Sequence, residues 1–305
     1  MHVNTPLIPA LPPFTLPGQQ AWLKMDALQP VGSFKLRGVG RLCAAQVAAG
    51  ARAIVCASGG NAGYTAAWAA RRLGVKAHIV VPQTTSAQVR EAIAALGAEV
   101  HQHGSVWDEA HAHAMQLAEE LGASYVPPFD DPLLWDGHAT LIDEVVAAGV
   151  SFDCVVLAVG GGGLLAGVIQ GLRRNGLAHV PVIAAETEGA ASLHESLLAG
   201  ERITLPAITS IASSLGAKRV AQQAFELCLN APVQSVTVTD AQAVDACLAF
   251  ADVHRVLVEP ACGAALAVPM VLPEVLEEFK APLIEVCGGV GVSLDRLSAW
   301  KTMPR

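Results

Sequence analysis

Charged side chains are scarce in this chain. Asp, Glu, Lys and Arg together make up 15% of its 305 residues, against 52% hydrophobic residues. So little charge leaves a thin polar surface. That favours a compact enzyme or an assembly that hides part of its exterior, here a homodimer. Basic residues are the scarcer sign, 19 against 27 acids, for a formal net charge of −8. Phosphate backbones are held by basic patches, so nucleic acid is excluded as an expected partner. The cysteines show no pairing. Cys43, Cys56, Cys154, Cys228, Cys247, Cys262 and Cys287 are scattered, with no CxxC spacing and an odd total of seven. That pattern reads as reduced thiols in a cytoplasm. The start, Met1-His2-Val3-Asn4, lacks the charged and apolar regions of a signal peptide. There is no internal repeat and no low-complexity tail.

One uncharged run, Cys154 to Leu172, is long enough for a membrane span. Gly160 to Gly163 sit in its middle. Each glycine inside a helix costs about 1 kcal/mol, so a strand, a turn and a helix is the better reading, and no membrane partner is expected.

Strands and helices alternate through most of the chain. Short β-branched runs occur at 52–56, 78–81, 154–159, 182–185, 235–238 and 283–286, and alanine-rich amphipathic stretches at 86–96, 108–121 and 241–251. This alternation predicts an α/β fold of two domains, each a mostly parallel twisted sheet with helices on both faces. Prolines break both periods at Val126-Pro127-Pro128-Phe129-Asp130-Asp131-Pro132. The expected division is a small α/β domain, 39–128, and a larger domain, 1–38 plus 129–305, with an active site in the cleft between them.

Three polar elements follow apolar strands. Ser58-Gly59-Gly60-Asn61-Ala62-Gly63 and Gly160-Gly161-Gly162-Gly163-Leu164 each lead from a strand into a helix, and Cys287-Gly288-Gly289 follows the run 283–286. Glycine turns at helix N-termini let an anion approach backbone N–H groups, and the helix dipole favours it. Lys35, in Gly32-Ser33-Phe34-Lys35-Leu36-Arg37-Gly38, lies between apolar neighbours. A desolvated lysine keeps more free amine, which a Schiff-base nucleophile needs; an ordinary helix lysine is the rival reading. Gly161-x-Gly163-x-x-Ala166 followed by Glu186 also fits a dinucleotide fingerprint. Such a strand is normally first in its domain, whereas a β/α block precedes this one. A dinucleotide also leaves Lys35 and Ser58–Gly63 without a role.

Taken in order, these segments resemble the fold type II (tryptophan synthase β-like) pyridoxal-phosphate enzymes. Within them the match is to the serine/threonine dehydratases, closest to the short animal-type serine dehydratases. Pro127-Pro128-Phe129-Asp130-Asp131-Pro132, the stretch from Ile208-Thr209-Ser210 to Leu215-Gly216-Ala217-Lys218, and Val258-Glu259-Pro260-Ala261-Cys262-Gly263-Ala264-Ala265 look similar too, and the likeness runs from about Pro6 to Leu297. The resemblance implies pyridoxal 5′-phosphate held by Lys35, whose freed amine would serve as general base at the substrate Cα. Phe34 would pack near the ring. Gly160, Gly161, Gly162, Gly163 and Leu164 would hold the phosphate, and Asn61 the ring hydroxyl. Ser58, Gly59, Asn61 and Ala62 would grip the substrate carboxylate. Cys287 would face the pyridine nitrogen as a neutral thiol, making the ring a weaker electron sink suited to prompt loss of a β leaving group. Glu186, with the carbonyls of Ala190, Leu215 and Ala217, would form a monovalent-cation site suited to potassium. Ser192 stands where the racemase branch has a second acid. The implied reaction is β-elimination from L-serine or L-threonine, giving pyruvate or 2-oxobutanoate and ammonia.

Some positions depart from the pattern. Gly59 stands where racemases carry a serine, so racemisation should be slow or absent, and a looser carboxylate grip would make turnover modest. Ser214 replaces a small apolar residue. A bulkier β-hydroxy amino acid is an alternative substrate. A cysteine-synthase-like β-replacing transferase is a rival enzyme, although its Asn loop and lysine motif differ. A non-catalytic cofactor-binding sensor would leave Lys35 unexplained. The chain ends soon after the last motif, so no isoleucine feedback is expected. His101 and His103 are expected to share a strand face, while His111 and His113 do not share a helix face. With no third ligand evident, these read as surface histidines and not a metal site.

Overall fold

The computed structural model describes residues 1–302. In chain order the strands are β1 (Leu7–Pro9), β2 (Trp22–Lys24), β3 (Ala53–Ala57), β4 (Lys76–Val81), β5 (Glu99–Gln102), β6 (Ser124–Tyr125), β7 (Cys154–Ala158), β8 (Val182–Thr187), β9 (Val233–Val238) and β10 (Pro282–Glu285). The helices are α1 (Lys35–Ala48), α2 (Asn61–Leu73), α3 (Ala87–Ala94), α4 (Trp107–Leu121), α5 (Pro132–Ala147), α6 (Gly163–Arg174), α7 (Ser192–Ala199), α8 (Gln222–Leu229), α9 (Asp240–His254), α10 (Pro260–Val271) and α11 (Leu294–Lys301). Two compact units result. One joins Met1–Val3 to Lys35–Gly137; the other joins Asn4–Phe34 to the chain from His138 onward.

The first unit is built on a four-stranded sheet, β5-β4-β3-β6, in which every pairing is parallel. Parallel strands covered on both faces read as unbroken apolar runs. Ile54, Val55, Cys56 and Ala57 of β3 are accordingly all fully buried. On one face Val55, Ala57 and Val80 pack against Ala110, Ala114 and Ala118 of α4. The i, i+4 alanine spacing gives this helix a flat side that lies close to the sheet. It starts at Trp107, whose indole Nε1 donates to the Ala57 carbonyl at 2.8 Å.

The second unit carries a six-stranded sheet, β1-β2-β10-β7-β8-β9. Only the β1–β2 pairing is antiparallel. That short pair escapes a reading by periodicity, because three residues set no period. All five residues of β7 are buried. The uncharged run that could have been a membrane segment is therefore a core strand, a glycine turn and α6. No helix among the described residues is long and apolar enough to cross a membrane. Lys24 is buried in this sheet and satisfied there: its Nζ donates to the Thr5 carbonyl at 2.7 Å and pairs with Glu144 at 2.6 Å. A buried ammonium without such partners would cost several kcal/mol.

Candidate active-site residues

In the first unit, Lys35 opens α1 and is half-buried. Its Nζ donates to the carbonyl oxygen of Pro128 at 2.6 Å. Sequence reasoning saw in Pro128 a break between domains and part of a family-like segment, and not an acceptor for this amine. No local pattern announces a partner so distant along the chain. The lysine also lies near Cys56, whose thiol burial pushes up to about 12 although the neighbouring ammonium pulls the other way.

The Asn loop leads from β3 into α2. No side chain caps this helix, since its N-cap is Gly60; the Ser58 Oγ instead accepts the Gly60 N–H at 3.2 Å. The first N–H groups of a helix have no partner within it. Asn61 and Ala62, both buried, stand at this uncapped end. The loop is closed tightly by Gly63, where an added Cβ would fall on the Ser58 carbonyl oxygen. At Gly59 a Cβ would stand 3.0 Å from Thr85 Cγ2 and 3.1 Å from its Oγ1. Thr85 thus closes the space that a larger residue at 59 would use.

In the second unit, the four-glycine turn joins β7 to α6. Gly162 is the N-cap, at φ 91°, and no side chain caps the helix. A Cβ at Gly160 would come within 2.9 Å of Leu215 Cα and 3.0 Å of the Ser214 carbonyl oxygen; one at Gly162 would meet Ala224 Cβ at 2.5 Å. The turn is thus packed from behind by the segment around Ser214. Ala221 N–H donates to the Gly161 carbonyl at 3.0 Å, which turns that peptide inward.

Cys287 follows β10 and is buried. Its carbonyl accepts the Phe34 N–H at 3.1 Å, Ser33 bridges to Gly288, and Gly289 N–H donates to the Gly32 carbonyl at 2.8 Å. These bonds hold the chain just ahead of Lys35. Phe34 also packs on His138, with ring centroids 5.0 Å apart. The Cys287 thiol is held well above its ordinary pKa by a hydrogen bond with Cys262 and by burial. Sequence reasoning had not singled out Cys262 as its companion, although it stands in one of the similar segments.

Glu186, next to last in β8, is fully buried. Its carboxyl accepts the Leu193 N–H at 3.0 Å and the His194 N–H at 2.7 Å, so it caps α7. Burial still pushes its pKa up to about 8, outweighing both bonds. The Ser192 hydroxyl next to these donors is buried without a hydrogen-bond partner. The Leu215 carbonyl accepts from Ala217 N–H at 2.8 Å, within the turn that packs on Gly160.

The histidines require a correction. β5 ends at Gln102, so His101 and His103 do not share a strand face. His103 stacks on His113, centroids 4.1 Å apart, while His111 lies 2.7 Å from the Tyr125 hydroxyl. Two other groups do accompany His101. His78 Nδ1 is 3.1 Å from its Nε2, and Glu99 lies beside both.

Residues 1–288 match the family described as pyridoxal-phosphate dependent enzymes. The chain belongs to that family. It is 46% identical to the human protein "Serine dehydratase-like" over 99% of this chain and 94% of that one. It is 45% identical to human "L-serine dehydratase/L-threonine deaminase" over 99% and 95%. Among solved structures it resembles a fungal L-serine ammonia-lyase from Rhizomucor miehei, with TM-score 0.91, 37% identity and 98% of each chain covered. Pyridoxal-phosphate enzymes must hold a phosphate dianion, and the turn before α6 fits one. It is an uncapped helix N-terminus where a Cβ at Gly160 or Gly162 would strike its own support.

Proposed function

We propose that this chain dehydrates and deaminates L-serine and L-threonine, producing pyruvate or 2-oxobutanoate and ammonia. The observation that carries the reading is the burial of Cys287 at the end of β10, where a hydrogen bond with Cys262 and burial both push its thiol pKa up. The names of the relatives, serine dehydratase and threonine deaminase, support the substrate class. Pyridoxal phosphate, when bound, supplies an electron sink that acidifies the substrate Cα–H. Cys287, as a neutral partner for the pyridine nitrogen, would limit that sink and favour early loss of a β-hydroxyl over transamination.

Each of the chain's own groups then has a task. Gly160, Gly161, Gly162, Gly163 and Leu164 bind the phosphate through backbone N–H groups. Phe34 would pack beside the ring, and Asn61 would donate to its hydroxyl. Lys35 would hold the cofactor through Nζ, and its free amine would take the proton from the substrate Cα. Ser58, Gly59, Asn61 and Ala62 hold the substrate carboxylate at the uncapped start of α2. That grip orients the Cα–H bond for transfer. The loop Ala57-Ser58-Gly59-Gly60-Asn61 favours elimination over the β-replacing chemistry of cysteine synthases, whose Asn loop differs. Glu186 and the carbonyls of Ala190, Leu215 and Ala217 hold a potassium ion. The partnerless Ser192 hydroxyl supports a bound cation there, because a buried hydroxyl is costly to leave unsatisfied. The seven unpaired, buried cysteines support a reducing, cytoplasmic setting.

The test is a product assay on the purified protein loaded with pyridoxal phosphate. Ammonia and 2-oxo acid should appear in equal amounts from L-serine or L-threonine. Absence of both, or formation of cysteine from O-acetylserine and sulfide as the faster reaction, would overturn the reading.

A further inference from the structure

His78 on β4 and Glu99 on β5 are paired across the sheet, and His101 is two residues further along β5. Side chains two apart on a strand share a face. His78 and Val80 therefore point the same way, toward the side that α4 covers, and Glu99 and His101 lie beside them. One ligand atom from each of His78, Glu99 and His101 lies within 4.8 Å of the others.

The separations are informative. His78 Nδ1 is 3.5 Å from one Glu99 carboxylate oxygen, and His101 Nε2 is 3.6 Å from the other. Those lengths are too great for hydrogen bonds. Ligand atoms bound at about 2.0–2.1 Å to a tetrahedral zinc stand about 3.4 Å apart. The 3.1 Å between the two imidazole nitrogens suits a shared hydrogen bond or a shared metal; the carboxylate distances suit an ion pair to protonated imidazoles or a shared metal, and zinc uptake separates the two.

We propose that His78, Glu99 and His101 form a divalent transition-metal site, of the zinc class, that clips the edge strand β5 to β4. Two imidazoles and one carboxylate are a ligand set for zinc and not for magnesium or calcium, which take oxygen. The His78 side chain is 9% exposed and so is held in place, while that of Glu99 is 67% exposed, which opens an entry path and leaves a fourth position for water. Lys76, the nearest like charge on β4, is exposed and can extend into solvent. None of the three ligands takes part in the proposed reaction, so the site stands or falls independently of it.

The holoenzyme, stripped of metal with a chelator, is dialysed against zinc chloride, and bound zinc is measured by elemental analysis. Thermal unfolding is followed in parallel. The expected result is saturable uptake of one zinc per chain with a rise in the unfolding midpoint. His101→Gln and Glu99→Gln, both at accessible positions, should weaken uptake by about 100-fold and tenfold or more. Without zinc, each should melt and release ammonia as the wild type does. No uptake at micromolar zinc would overturn the proposal. So would uptake that both substitutions leave unchanged, since the metal would then be held elsewhere.

Discussion

The lysine at position 35 and its carbonyl partner show how much chemistry hangs on single atoms. A half-buried amine bonded to the Pro128 carbonyl at 2.6 Å is held in one orientation. Lys35→Ala removes the proposed tether and base, so 2-oxo acid production should fall by about 10³-fold or more. The protein should also lose the yellow colour it takes on with pyridoxal phosphate. Full activity in the alanine variant would remove the lysine from the mechanism. Glycine matters here through the space it leaves. Gly63→Ala drives a methyl group onto the Ser58 carbonyl, so the Asn loop must move. We expect a loss of about 3 kcal/mol in urea unfolding together with weaker substrate binding, seen as a raised KM. An unchanged midpoint would mean that the loop yields freely. Lys35, Gly63 and the four-glycine run were all visible as residues. Pro128 as a hydrogen-bond acceptor and Cys262 as a thiol partner were not, because those contacts join distant parts of the chain.

Among the elements, the start of α7 is the most informative. Its first N–H groups are satisfied by Glu186, a side chain from the end of the preceding strand. Glu186→Ala leaves two buried donors without acceptors, and stability measured by urea unfolding should drop by about 2–4 kcal/mol. Such a loss is separable from the proposed cation role. In the wild type, exchange of potassium for tetramethylammonium should lower ammonia release without unfolding the protein; equal rates in the two salts would argue against a cation site. Helix and strand positions were mostly legible, because unbroken apolar runs such as Ile54–Ala57 and Cys154–Ala158 can only be covered strands once they alternate with amphipathic helices. The β1–β2 pair was missed for lack of a period. The supposed shared face of His101 and His103 failed because β5 stops between them.

For the molecule as a whole, the thiols offer a check on packing. All seven cysteines are buried and none is paired. Burial raises the thiols of Cys43, Cys56 and Cys228 to about 12, so hardly any reactive thiolate is present near neutral pH. A disulfide reagent at pH 8 should therefore find no fast-reacting group in the native protein and seven after denaturation. A stoichiometric burst from the native form would mean that one of these thiols is accessible.

From its residues alone, the chain was committed to alternating strands and helices and to glycine turns at helix starts. Its ordered motifs also marked it as a pyridoxal-phosphate enzyme. These are properties of short windows, where periodicity and the missing Cβ act locally. Which groups meet was decided only by folding. The Cys262–Cys287 contact, the Glu186 cap on α7 and the cluster of His78, Glu99 and His101 each join residues from different elements of the fold. Strand register and burial set those distances, and no local pattern encodes them.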